Sequence, residues 1–216
     1  MKNTKKLLCA LILGAALMSP SSSSAQTASP TAQSKLAESI SEIQKETVAT
    51  RNQLQATLNA LTALTKKDKG DLKPAFETYT AQVEKTHAAA KQTSERVPAM
   101  QAASTNYFGA WKTQIGEINN PSLQKKAMKR METVQKKYNE VIKSFQEASE
   151  QFKPFLSDLD DVQKMLTNDI TPGGVKAVRG VADSANWNMK KVRSSIADAI
   201  EDLGDMAKAL SSHVVE

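Results

Sequence analysis

From Leu36 onward, apolar residues recur at alternating steps of four and three through almost the whole chain. Four runs carry the pattern. The first passes from Leu36 through Ile40, Ile43, Thr47, Thr50, Leu54 and Thr57 to Leu64. The second starts at Leu72, continues through Phe76, Tyr79 and Val83, and reaches Tyr107 and Trp111 with Ile118 in register beyond. The third links Leu123, Met131, Val134, Tyr138, Val141, Phe145, Phe155 and Leu166, and the fourth runs from Val175 to Leu210. Such spacing holds one stripe of a helix against a partner helix. A strand needs a period of two instead. The pattern predicts an all-α chain of four long helices.

The breaks between runs are short and carry stop and start residues. Gly70 is placed to end the first helix, with Asp71 as the cap of the second. Pro121 and a capping Ser122 open the third, and "NDITPGG" closes it. Short connections make successive helices antiparallel, so the expected architecture is an elongated antiparallel bundle or coiled coil. Pro98 and Pro154 fall inside runs whose stripe continues past them, which predicts kinks rather than helix ends. Small or hydroxylated residues fill many inward positions of the first two runs, so the core is expected to be thin there. The Phe145–Phe155 region is expected to pack best, because aromatic rings bury more area each.

The first 25 residues have another character. Lys2, Lys5 and Lys6 precede an apolar run, Leu7 to Met18, that is too short to span a bilayer. Ser23 and Ala25 then occupy the −3 and −1 places before Gln26. This is the pattern of a secretory signal peptide over residues 1–25. Cys9 lies too early and lacks the small residues before it that a lipoprotein needs. Residues 26–34 read as a disordered polar leader, and 35–213 as one helical domain. Cleavage removes the single cysteine, hence any disulfide or thiolate chemistry. It also leaves 26 basic against 23 acidic residues, a net charge of +3 instead of +6. So modest an excess argues against a nucleic-acid partner. No later stretch is long and apolar enough to cross a membrane.

The densest charge lies in "KKAMKRMETVQKKY", where Lys125, Lys126, Lys129, Arg130, Lys136 and Lys137 face a single acid, Glu132. An antiparallel third and fourth helix would set this stretch beside Asp198, Glu201, Asp202 and Asp205. Acids at the end of the third helix, such as Asp158 and Asp161, would likewise meet Lys190, Lys191 and Arg193. Basic starts and acidic ends oppose the helix dipole, so the arrangement points to selection of orientation by cross-helix pairing. The other reading is a surface for an anionic ligand, a membrane or a protein partner.

Little else carries chemistry. Glu84 and His87 form a single Glu-x-x-His pair, a spacing that di-iron bundles use twice. His213 stands near the C-terminus. Neither histidine has the neighbours of a nucleophilic triad, and "TPGGVKAVRG" lacks the spacing of a phosphate-binding loop. The tandem Gly173 and Gly174 read as a turn, with the free N–H groups of the helix start as a weaker anion site. Trp111 lies on the stripe. Trp187 lies off it, in a position to cover the kink at Pro154. No catalytic residue, metal or cofactor is expected.

The stretches "KGDLKPAFETYTAQVEKTHAAAKQTSERV", "SLQKKAMKRMETVQKKYNEVIKSFQEASEQFKPFL" and "NWNMKKVRSSIADAIEDL" resemble a bacterial family of secreted helical proteins, domain-of-unknown-function family 2959, over roughly residues 35–212. The resemblance implies an envelope protein of coiled-coil character and assigns no functional residue. The chain is therefore expected to be an exported, periplasmic, non-enzymatic protein that acts through a protein partner or peripheral contact with the envelope. A periplasmic holdase chaperone is the competing class. N-terminal sequencing of protein recovered from the cell envelope should begin at or within a few residues of Gln26; an intact Met1 chain embedded in the membrane would refute export with cleavage.

Overall fold

The computed structural model describes residues 28–67 and 69–211. They form four helices joined by short connections: α1 (Ala28–Thr65), α2 (Lys73–Gly116), α3 (Pro121–Asn168) and α4 (Pro172–Ser211). There is no strand among the described residues. The helices have 38, 44, 48 and 40 residues, so the longest extends about 72 Å at 1.5 Å per residue. Each packs on its neighbours in a ring, α1 on α2, α3 on α4, α1 on α4, and most sparsely α2 on α3. All four adjacent pairs are antiparallel. Between α1 and α2, for example, Thr57 meets Thr86 while the earlier Thr50 meets the later Thr93. The all-α antiparallel bundle is as the periodicity predicts.

The stripe defines the interior. Every inward position of the first run is buried, from Leu36 to Leu64. So are the positions of the fourth run from Val175 to Leu210. The interior nevertheless divides into two apolar cores. One joins Leu54–Leu64, Leu72–Val83, Phe155–Leu166 and Val175–Ile196 at the end holding the α1–α2 and α3–α4 connections. The other joins Leu36–Ile43, Met100–Ile115, Met131–Val141 and Leu203–Leu210 at the opposite end. There Tyr107 packs on Phe108 and Trp111 at ring-centroid distances of 5.1 and 5.4 Å. Phe108 and Ile115 extend the core beyond the simple stripe of α2.

Between the cores lies a waist of short side chains. Thr50 and Thr93 share a hydrogen bond of 2.9 Å. Toward the first core, Thr57 and Thr86 share one of 2.7 Å, and Gln53 donates to the side-chain oxygen of Gln82 at 2.8 Å. These contacts make a polar seam between α1 and α2, consistent with the thin core expected there. The aromatic part of α3 departs from expectation. Phe155 is fully buried, but Phe145 and Phe152 are only half-buried. Opposite them α2 presents Ala90, Thr93 and Val97, which are too short to close the gap, so ring size on α3 is not matched by its partner.

The ends of the helices correct several expectations. α1 begins at Ala28, so residues 28–34 are helical and not a disordered leader. Pro30 falls in the first turn, where a missing N–H costs nothing, and Gln33 ties the turn to α4 by donating to the Leu210 carbonyl at 2.7 Å. Asn120, not Ser122, caps α3: its Oδ1 accepts from the N–H groups of Ser122 and Leu123 at 3.0 and 3.2 Å. Leu72 stands at the cap position of α2 without a side-chain bond, while Asp71 accepts from the Lys73 N–H at 3.0 Å. Gly70 has φ +84°, which a side chain would strain. Pro98 and Pro154 end neither helix. The expected signal peptide and Cys9 lie outside the described residues.

The α3–α4 turn depends on Gly174. A Cβ built there would stand 2.1 Å from the Asp169 carbonyl oxygen and 2.9 Å from its Cγ. At Gly173 the nearest atom is the Thr171 hydroxyl at 3.4 Å. Gly174→Ala should therefore destabilise the protein by about 1–3 kcal/mol through backbone displacement. Gly173→Ala should be neutral or stabilising by up to about 1 kcal/mol. Urea unfolding of the two variants beside the wild type checks this.

Candidate functional site

The basic stretch occupies the first turns of α3, at the end of the bundle where α2 connects to it. Lys125, Lys126, Lys129, Arg130 and Lys136 are exposed and Lys137 is half-buried. Among the described residues the pairing expected with α4 is seen between Lys137 and Asp205 at 3.5 Å. Lys136 instead meets Glu140 of its own helix at 4.0 Å. The hydrogen bond and charge of Lys208, with a smaller effect from Lys137, hold the Asp205 carboxyl below its ordinary value. Asp202 accepts a hydrogen bond from the Ser144 hydroxyl. The cause is register. Ser144 stands level with Asp202 and Lys137 with Asp205, so going back along α3 one passes the described end of α4 at Ser211 before reaching Lys125. The acids Asp198–Asp202 lie beside the middle of α3.

The reciprocal pairing at the other end fails in the same way. Asp158 accepts from Asn188 at 3.4 Å, Asp161 meets Lys164 at 3.1 Å, and Arg193 donates to Gln55 of α1 at 3.3 Å. Lys191 lies over the ring of Trp187 at 5.3 Å. Trp187 is 61% exposed, so it covers no kink at Pro154.

Lys125, Lys126 and Lys129 thus have no ion pair among the described residues. Leu123, 55% exposed, stands at the same end. The result is a rigid helical face with three unneutralised ammonium groups and one apolar side chain. It suits an anionic surface more than a buried ligand.

The remaining candidates are accounted for by structure. His87 Nε2 lies 2.7 Å from Asp160 Oδ1 of α3, a bridge that links α2 to α3 on the exposed face. Among the described residues no group of three or more His, Cys, Asp or Glu side chains could hold a metal ion. The start of α4 is a capped turn: the Gly174 N–H donates to the Thr171 hydroxyl at 3.1 Å, and that hydroxyl donates to Asp169 at 2.6 Å. His213 is outside the described residues. No described helix is long and apolar enough to cross a membrane.

A feature that the periodicity did not disclose is a cleft of about 730 Å³ at the waist. It opens between α2 and α3, with Val97 on one wall and Ile142, Phe145, Phe152 and Leu156 on the other. Thr47 and Thr50 of α1 and Ile196 and Ala199 of α4 form its floor. The only signal in the sequence was the coincidence of short residues on α1 and α2 at one level, which has no meaning until the helices are set in register.

The fold is that of an antiparallel four-helix bundle with exposed charged faces and a lateral cleft. Over residues 30–210 the sequence matches the family described as "Protein of unknown function (DUF2959)". The chain belongs to that family. Comparison with curated proteins and with solved structures gives no match.

Because the Lys137–Asp205 pair is exposed, a double-mutant cycle of Lys137→Ala and Asp205→Ala should give only a weak coupling that fades as salt rises. Changing Lys125, Lys126 and Lys129 together to glutamate should leave stability within about 0.5 kcal/mol per site. Thermal melts at low and at raised salt check both; a loss of several kcal/mol in the triple variant would mean that these lysines hold the bundle together.

Proposed function

We propose that this is an exported, periplasmic protein that catalyses no reaction and acts by contact, through the start of α3, with an acidic protein partner or an anionic envelope surface. The reading is supported by one observation above all. Lys125, Lys126 and Lys129 are exposed on a helix that extends past the described end of α4, with no ion pair among the described residues. Charges held this way, without an ion pair among the described residues, attract an anionic surface at long range and lose that attraction as salt rises. The exposed Leu123 adds a small apolar contact beside them. A modest net charge does not oppose this, because the relevant quantity is the local field of the face.

Crosslinking in the native cell, followed by mass spectrometry, tests the reading. Wild-type protein should yield crosslinks that map to the first turns of α3, either to one acidic partner or to the membrane fraction. The triple variant K125E/K126E/K129E, folded by circular dichroism, should lose them. Unchanged crosslinking in that variant would overturn the assignment, and crosslinks to many unrelated denatured proteins would favour a holdase instead.

A further inference from the structure

The cleft at the waist is several turns away from the basic start of α3, and it has a polarity of its own. We propose that it is a binding site for a single-chain amphiphile with an anionic head group. Its walls and floor gather five half-buried apolar side chains, Val97, Ile142, Phe145, Phe152 and Leu156, around a strip of threonine and alanine. These side chains form one continuous apolar lining, open to solvent between α2 and α3. The volume of about 730 Å³ falls within the range of small-ligand sites.

Size selects the shape of the occupant. The stretch of α2 from His87 to Gln101 that borders the cleft rises about 21 Å. A volume of about 730 Å³ spread over that length makes a long, narrow groove. One extended chain fits.

Charge selects its head. Because α2 and α3 are antiparallel, His87, Lys91 and Lys153 come to one end of the cleft, and Val97, Ile142 and Phe145 to the other. Glu150 is the one acid among the lining residues. Asp160 is taken by His87 at 2.7 Å. Lys91 reaches Glu95 at only 3.8 Å with both side chains largely exposed, a pair of little strength that an incoming anion can replace. Lys153 has no ion pair among the described residues. An apolar chain would therefore lie toward Phe145, with a carboxylate or similar anion at Lys91 and Lys153.

Titration calorimetry of the mature chain with dodecanoate, below its aggregation concentration, tests the proposal. Dodecyl maltoside serves as the control with the same chain and an uncharged head. The expected result is one saturable site per chain for dodecanoate, with binding of the maltoside weaker by about tenfold or more. Ser149→Trp, at an exposed position lining the cleft, should fill the groove and abolish binding of both. K91E/K153E should weaken dodecanoate selectively and leave the maltoside unchanged. Circular dichroism establishes that each variant is folded; the charge variants lie on exposed positions and carry the test if the tryptophan variant does not fold. Absence of saturable heat, equal affinity for the two heads, or binding unchanged in a folded Ser149→Trp variant would overturn the proposal. None of these results bears on the contact at Lys125–Lys129, which is read by crosslinking.

Discussion

The waist of short side chains is the constraint on which the rest of the bundle depends. Four helices in a ring keep equal spacing only if each layer of the interior is filled to similar depth. At the level of Thr50, Ala90, Thr93 and Ala199 it is not. α1 and α2 respond by closing on each other through paired hydroxyls, Thr50 with Thr93 and Thr57 with Thr86. Each such bond contributes about 0.5–1.5 kcal/mol, and it satisfies a hydroxyl that would otherwise be costly to bury. The deficit is then passed to the α2–α3 side, where His87 and Asp160 bridge the helices at one end and the cleft opens beyond them. The division of the interior into two cores follows from the same layer.

The two apolar cores hold the helices on either side of that layer. In the first core one anchor, besides apolar area, is a polar atom satisfied at long range. Tyr79 donates from its buried hydroxyl to the Leu159 carbonyl at 2.7 Å, bracing α2 against α3 just beyond the cleft. Burial, and secondarily the charge of Asp160, raise the pKa of that phenol well above its ordinary value, so it stays a donor throughout the physiological range. At the far side of the cleft the Tyr107–Phe108–Trp111 group, with Tyr138 edge-on to Phe108 at 6.0 Å, closes α2 on α3 again. The cleft is thus bounded at both ends by well-packed crossings and does not run the length of the bundle.

Helix length and register decide the electrostatics. α3 has 48 residues and α4 has 40. Once Ser144 is set level with Asp202, the difference emerges at the α2–α3 end as a stretch of α3 that lies past the described end of α4 at Ser211. The basic residues of "KKAMKR" lie in this overhang. The acids of α4 spend their hydrogen bonds lower down, on Ser144, Lys137 and Lys208. The same lysines would have been structural in a bundle with matched helix lengths.

The sequence by itself determined the four helices, their approximate breaks, their antiparallel order and nearly all of the buried stripe, because a 4–3 apolar period is a local property that any antiparallel partner satisfies. It also placed Gly70 and the turn at Gly173–Gly174. The cap positions of α2 and α3 fell at Leu72 and Asn120, one and two residues away from the expected Asp71 and Ser122, since several Ser, Asp and Asn residues near a helix start compete for one set of N–H groups. What only the tertiary structure decided was relative height. Whether Lys125 faces an acid or solvent, and whether Phe145 faces a leucine or a threonine, depends on how far one helix slides along the next. A heptad stripe is nearly unchanged by a slide of seven residues, so it specifies which face is buried far more strongly than which residues meet across it.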